Sequence, residues 1–249
     1  MRRMVSGWPV TLARFWVEEK GPSGLAPGKI ALGIWMVAVI LAAFLLDARR
    51  LGTLGQGARI IFFHIPVAWV TAVAFLLSSV HSVLYLAKRQ RKNDRRAASA
   101  AGLGIVFCLL ATLSGSIFAR ITWGAFWNWD PRETTIFFLL LFYAAYFALR
   151  AAVADEEARA MLSAAYNVLG LVVVPFLVFV APRLSALAGL HPEPILNVQG
   201  RLEMDPAALG VFLAALLGFT GLFFWAYDLN NRALGLEEHL LEQEVEHGG

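Results

Sequence analysis

Six stretches of this sequence are long enough, and free enough of charge, to cross a lipid bilayer as helices: Ile30–Leu46, Ile60–Ala87, Ala97–Phe118, Thr134–Leu149, Leu162–Ala181 and Ala207–Tyr227. The hydrocarbon core of a bilayer is ~30 Å thick and takes about 20 apolar residues of helix to span. A chain inside it must satisfy its own backbone hydrogen bonds, which a helix does within one segment. The sequence therefore predicts an all-α, polytopic membrane protein, a six-helix transmembrane bundle, with helix ends placed to within about three residues. Charged residues make up only 16% of the chain, against about 25% in soluble domains, and the mean hydropathy is +0.64. A single soluble domain is excluded by the length of the uncharged runs. The second run is long enough to tilt or to project beyond the bilayer, and Pro66 near its start predicts a kink.

The lone cysteine, Cys108, lies inside an apolar run. It can form no intramolecular disulfide and belongs to no metal-binding cluster, so it reads as a small buried hydrophobe. The net charge of +3 and pI of about 9.2 do not point to nucleic acid, because the basic residues mark topology. Fourteen lie in the N-terminal segment, the 88–96 and 150–161 connections and the C-terminal tail, and seven in the alternate connections 48–59, 119–133 and 182–206. The positive-inside rule places both termini in the cytoplasm. The loop Lys88–Arg96 dominates this balance, as a topology signal or as a docking surface for a cytoplasmic partner.

Residues 1–29 then form a cytoplasmic segment, of which Trp8–Trp16 is mildly amphipathic and suited to the membrane surface. This segment has no clean apolar stretch of the signal-peptide kind, so the first helix is expected to be an uncleaved anchor. Residues 30–227 form the six-helix domain. Residues 228–249 form an acidic tail, in which Leu236–Glu246 carries five glutamates interleaved with Leu and Val. It reads as a short amphipathic helix, either solvated or in contact with a basic partner.

The outward connections hold the unusual residues. Trp123-Gly124-Ala125-Phe126-Trp127-Asn128-Trp129-Asp130-Pro131-Arg132-Glu133-Thr134-Thr135 contains three of the chain's eight tryptophans. An aromatic belt at the membrane interface is one reading. A belt spreads over several helix ends, however, whereas these residues cluster in one short loop or interfacial helix. Such a surface suits a planar aromatic ligand. Asp130 as N-cap, Pro131 at N1 and Glu133 at N3 spell the start of the fourth helix.

Two of the five histidines lie near this face. His64 sits just inside the second run and His191 lies between Gly189 and Pro192 in the third outward connection. Two imidazoles can fill both axial positions of a haem iron; a packed helix histidine and an ordinary loop histidine are the alternatives. His81 is 17 residues beyond His64 on the same helix, roughly 25 Å away, so it cannot share a metal with His64 and reads as a packing residue. Arg59, Arg120, Arg132, Arg183 and Arg201 are candidate partners for carboxylates on that face, or interfacial anchors.

The pattern Trp123-Gly-x-x-Trp127-x-Trp129-Asp130-x-Arg132 resembles the tryptophan-rich WWD motif of haem-handling proteins in cytochrome c maturation. With six spans, Arg59-Ile-Ile-x-x-His64-x-Pro66 and Gly115-Ser116, the chain is most similar to the CcmC family over residues 30–230. Phe126 stands where the motif often has the first of two adjacent tryptophans. Asn128–Glu133 also resembles CcsA-type cytochrome c synthetases and CcmF relatives, which are usually longer and carry further histidines.

The resemblance implies a non-enzymatic haem-delivery subunit of the bacterial inner membrane, binding haem b on the outer face. His64 and His191 would be the axial ligands. Trp123, Trp127 and Trp129 would form the platform, and Asp130, Arg132 and Arg59 would complete the site. The implied partners are the haem chaperone CcmE, the ABC transporter subunits CcmA and CcmB, the small membrane subunit CcmD and membrane lipid, with no nucleic acid. The chain has no Gly-x-x-x-x-Gly-Lys pattern, so ATP chemistry falls to a partner. A CcsA-like synthetase and a permease-type haem transporter are the alternatives. The topology is checked by reporter fusions: green fluorescent protein fused to either terminus should fluoresce, and alkaline phosphatase at the same points should be inactive.

Overall fold

The structure, a computed structural model, describes residues 27–47, 50, 57–184, 190 and 204–248. His191, Arg201 and the Trp8–Trp16 segment lie outside the described residues. No strand occurs among those described, and six helical stretches are long and apolar enough to cross a membrane. They comprise α1 (Pro27–Leu45), α2 (Ile61–Lys88), α3 (Arg91–Trp123), α4 (Pro131–Ala152), a segmented fifth span and α8 (Pro206–Gly248). The fifth span is built from α5 (Glu156–Val168), α6 (Gly170–Pro175), a π-helical turn (Phe176–Val180) and α7 (Ala181–Leu184). Pro175 has no amide hydrogen and its ring crowds the turn before it, and the helix widens into the π turn immediately after it.

Two of the expected boundaries move. The connection expected over Lys88–Arg96 is only two residues long: Arg89, with φ of 53°, closes α2 with its amide on the Tyr85 carbonyl at 2.7 Å, and α3 starts at Arg91. Arginine and lysine are good helix formers, and Asp94 in the first turn suits the positive end of the helix dipole. The acidic tail is not a separate short helix either, because α8 continues unbroken from the sixth span through residue 248. The tail turns one carboxylate to the basic start of α3: Arg95 Nη1 lies 2.5 Å from Glu238 Oε2, and Asn230 Nδ2 donates to Ser99 Oγ at 2.8 Å.

α2 is the central helix, packed against α3, α5, α6 and α8. Lipid tails are as apolar as leucine, so helices in a membrane gain by close packing and hydrogen bonds more than by water exclusion. Both devices are present. Phe75 of α2 stacks on Tyr143 of α4 with centroids 3.5 Å apart, and it lies so close to Gly104 of α3 that a Cβ there would come within 2.4 Å of the ring. Asn167 of α5, fully buried, donates to Ser78 Oγ at 2.7 Å and Ser82 Oγ at 2.9 Å, and Ser78 donates to the Ala97 carbonyl. His81 stacks against Tyr227 of α8, as expected of a packing residue.

Polar contacts also tie the ends of the bundle. Asp205 caps α8, accepting from the amides of Ala207 and Ala208, and pairs with Arg50 at 3.3 Å. Desolvation alone would raise its carboxyl, but those two amides and the guanidinium outweigh it and hold Asp205 below the usual carboxylate range. At the other end Arg150 of α4 grips Asp94 of α3 in a two-pronged pair at 2.6 and 3.0 Å, both side chains largely enclosed. Truncating either partner strands an enclosed charge, so Asp94→Ala or Arg150→Ala should each lower stability by about 3 kcal/mol. The double Ala variant should recover part of that loss in thermal unfolding in detergent micelles.

Candidate functional site

α3 ends at Trp123 because Gly124 takes a left-handed conformation (φ 84°), turning its amide back to the Arg120 carbonyl at 3.2 Å. A Cβ is disfavoured in that conformation. The Arg120 guanidinium closes the same turn on the Gly124 carbonyl and lies 5.6 Å over the ring of Phe126. That ring is a cation–π partner, so Arg120 is already committed within the loop.

The loop is then fastened to the start of α4 by two buried carboxylates. Asp130 and Glu133 are 4% and 8% exposed and form the capping box expected from their spacing. One oxygen of Glu133 accepts the amides of Asn128 at 2.6 Å and Asp130 at 3.3 Å, the two residues flanking Trp129. Trp129 itself adopts φ of 55°, a left-handed conformation costing an L-residue roughly 1–2 kcal/mol. Its carbonyl accepts from Thr134 Oγ1 at 3.3 Å. Clamped on both sides, the Trp129 ring is turned outward and is 66% exposed. It meets Trp127 edge-on at 5.7 Å and Phe137 at 6.1 Å. Trp123 packs edge-on against Phe118 at 5.5 Å. Phe126 is also exposed, so the loop presents an aromatic surface rather than filling a core.

Asp130 does more than cap. While Oδ1 accepts the Arg132 amide at 2.9 Å, Oδ2 accepts the amide of Leu190 at 2.7 Å. Leu190 is thereby tied to the residue that follows Trp129.

His64 stands in the first turn of α2 and lies against α3. Its Nδ1 is 3.0 Å from Ser114 Oγ, and a Cβ on Gly115 would come within 2.9 Å of Cε1 of the imidazole. Ser114 is nine residues before Trp123 on α3, about 14 Å along the axis, so His64 and the tryptophan loop are both referenced to the same end of one helix. Arg59 spans back to α1, whose last carbonyls it caps, donating from Nη1 to Phe44 O at 2.6 Å and from Nη2 to Leu46 O at 2.9 Å. Arg132 is exposed at the second position of α4, and Arg183 donates to the carbonyl of Phe179 in its own helix.

The structure thus brings Trp127, Trp129, Asp130 and Arg132 together, puts Trp123 at the end of α3 and His64 of α2 against that helix, and gives Arg59 a helix-capping role. Two further residues shape the site. Glu133 orients Trp129 as well as starting a helix, and Ser114 faces His64. The only sequence signal for Ser114 is the small-residue run Ser114-Gly115-Ser116 two to three turns before Trp123. Of the buried donors that lack a partner among the described residues, Arg59 Nε and Trp127 Nε1 belong to the candidate site. Both fit a ligand bearing acceptors such as carboxylates. No three His, Cys, Asp or Glu side chains gather to hold a bare metal ion among the described residues.

A family model described as "CcmC: Heme exporter protein C" matches residues 22–246. Among curated proteins, heme exporter protein C of Bradyrhizobium diazoefficiens is 31% identical over 169 residues, covering 68% of this chain and 63% of that protein. Heme exporter protein C of Paracoccus denitrificans is 36% identical over 116 residues, 47% of this chain and 48% of that protein. Cytochrome c biogenesis protein CcsA of Prochlorococcus marinus (strain MIT 9515) is 26% identical over 183 residues, 57% of this chain and 58% of that protein. The aligned stretch spans less than two thirds of each of these relatives.

The loop geometry makes a stability prediction. Trp129→Gly relieves the left-handed strain while losing edge-on ring contacts of similar size, so its thermal stability should stay within about 1 kcal/mol of the parent. Glu133→Ala strips the acceptor from two amides and should cost about 2–3 kcal/mol, measured by thermal unfolding monitored through tryptophan fluorescence.

Proposed function

The chain belongs to the heme exporter protein C family, and from that premise we propose that it binds haem b at its outward face and presents it to the haem chaperone CcmE during c-type cytochrome biogenesis. The observation that carries this reading is Trp129, a large apolar ring held exposed on a strained backbone that two carboxylates keep in place. Backbone strain of this kind gathers at binding sites.

In this reading haem supplies an iron with two axial positions and a flat apolar ring with carboxylate-bearing edges. His64 and His191 take the axial positions. Trp123, Trp127 and Trp129 provide the aromatic surface against the ring. Asp130, which accepts the Leu190 amide, would bring the next residue, His191, to the tryptophan loop. Arg132 and Arg59, whose Nε lacks a partner among the described residues, would meet the propionates, and Arg59 would couple that contact to the end of α1. The chain acts as a delivery subunit rather than a catalyst. It sits in the bacterial inner membrane with both termini in the cytoplasm, and it works with the ABC transporter subunits CcmA and CcmB, to which ATP hydrolysis falls, and with the small membrane subunit CcmD.

The similarity to proteins named CcsA supports a second reading, direct attachment of haem to apocytochrome. Purified chain should carry haem with the absorption spectrum of two imidazole ligands, and His64→Ala and His191→Ala should each abolish that spectrum. Unchanged axial ligation in both variants would sink the proposal. Holocytochrome formed on co-expression with apocytochrome, in the absence of chaperone, would favour the second reading instead.

A further inference from the structure

We infer that Ser114 is the positioning residue of His64, fixing its imidazole with the proton on Nδ1 and the lone pair on Nε2; this rests on the reading of His64 as an iron ligand. A serine hydroxyl has one hydrogen to give and two lone pairs. The Ser114 oxygen lies 2.7 Å from the Leu110 carbonyl and 3.1 Å from the Ala111 carbonyl of its own helix. Carbonyl oxygens only accept, so the hydroxyl hydrogen is committed to them. What Ser114 Oγ has left for His64, 3.0 Å away at Nδ1, is a lone pair. Nδ1 must therefore be the donor. With the proton on Nε2, two carbonyls, the hydroxyl oxygen and Nδ1 would share a single hydrogen.

A second contact fixes the same ring. The imidazole lies against the backbone of α3 at Gly115, where an added Cβ would sit 2.9 Å from Cε1, 3.5 Å from Nδ1 and 3.6 Å from Nε2. Gly115 allows the approach and Ser114 sets the rotation and the tautomer. Both come from a helix 50 residues along the chain from His64. Histidines that bind metals almost always donate their second ring N–H to a fixed acceptor, and losing that acceptor typically costs about 10–100-fold in affinity. Free imidazole side chains in water tend towards the opposite tautomer, so the Nδ1–H form has to be imposed.

The test separates this inference from the haem reading. Full-length, haem-free chain is labelled with 15N-histidine in nanodiscs and studied by NMR at about pH 8, with His64 assigned by comparison with His64→Ala. The parent and Ser114→Thr should show protonated Nδ1 and bare Nε2 at His64. Ser114→Ala should shift it towards protonated Nε2. A parent His64 already protonated at Nε2, or a Ser114→Ala spectrum identical to the parent, would overturn the inference whatever haem does. With haem added, Ser114→Ala should bind about 10-fold more weakly and Ser114→Thr like the parent. Equal affinity in Ser114→Ala alongside the expected tautomer shift would overturn the positioning role. If His64→Ala itself binds haem as the parent does, it is the ligand assignment that fails, and with it the role of Ser114.

Discussion

The carboxylate of Asp130 faces two ways. One oxygen holds the first turn of α4, and the other holds the amide of Leu190 from a connection 60 residues further along the chain. A buried carboxylate that receives backbone amides is among the stronger hydrogen-bonding arrangements available to a protein, and here it adds a polar tie between the start of α4 and the chain beyond α7. Glu133 completes the arrangement by taking the amides on either side of Trp129. Without these two side chains the tryptophan loop would have neither its register against α4 nor its outward ring.

The bundle beneath supplies the rigidity this needs. α3 carries the loop at its end, receives His64 two to three turns earlier, and is held to α2 by the Gly104–Phe75 contact and to α4 by Arg150 and Asp94. The buried serines and Asn167 fasten α5 to the same centre. Small residues and satisfied polar groups do in lipid what apolar burial does in water. The apolar surface that remains, including Ile34, Leu113, Val172 and Leu217, is exposed for lipid.

Much of this was legible in the residues themselves. Six uncharged runs gave six spans, since a bilayer leaves few other choices. The Asp-Pro-x-Glu spacing gave a capped start for α4, because capping is a local hydrogen-bond pattern. Where the reading went astray, the physics is also local. Charge at Arg91–Arg96 reads as loop, and charge along residues 228–248 reads as a tail with its own short helix, yet these residue types are good helix formers, and α3 and α8 run through them without a break. The left-handed Trp129 could not be foreseen, because it arises from Glu133 reaching back to two amides. The pairing of Ser114 with His64 joins two helices, so no short-range pattern announces it.

α8 has a consequence of its own. Forty-three residues of unbroken helix make a rod about 65 Å long, fastened near one end through Asp205 to Arg50 and towards the other through Glu238 to Arg95. A rod that long is a lever: a tilt of a single degree about one end carries the other through roughly 1 Å. The ion pair at Glu238 and the cap at Asp205 are therefore geometrically linked through one continuous helix.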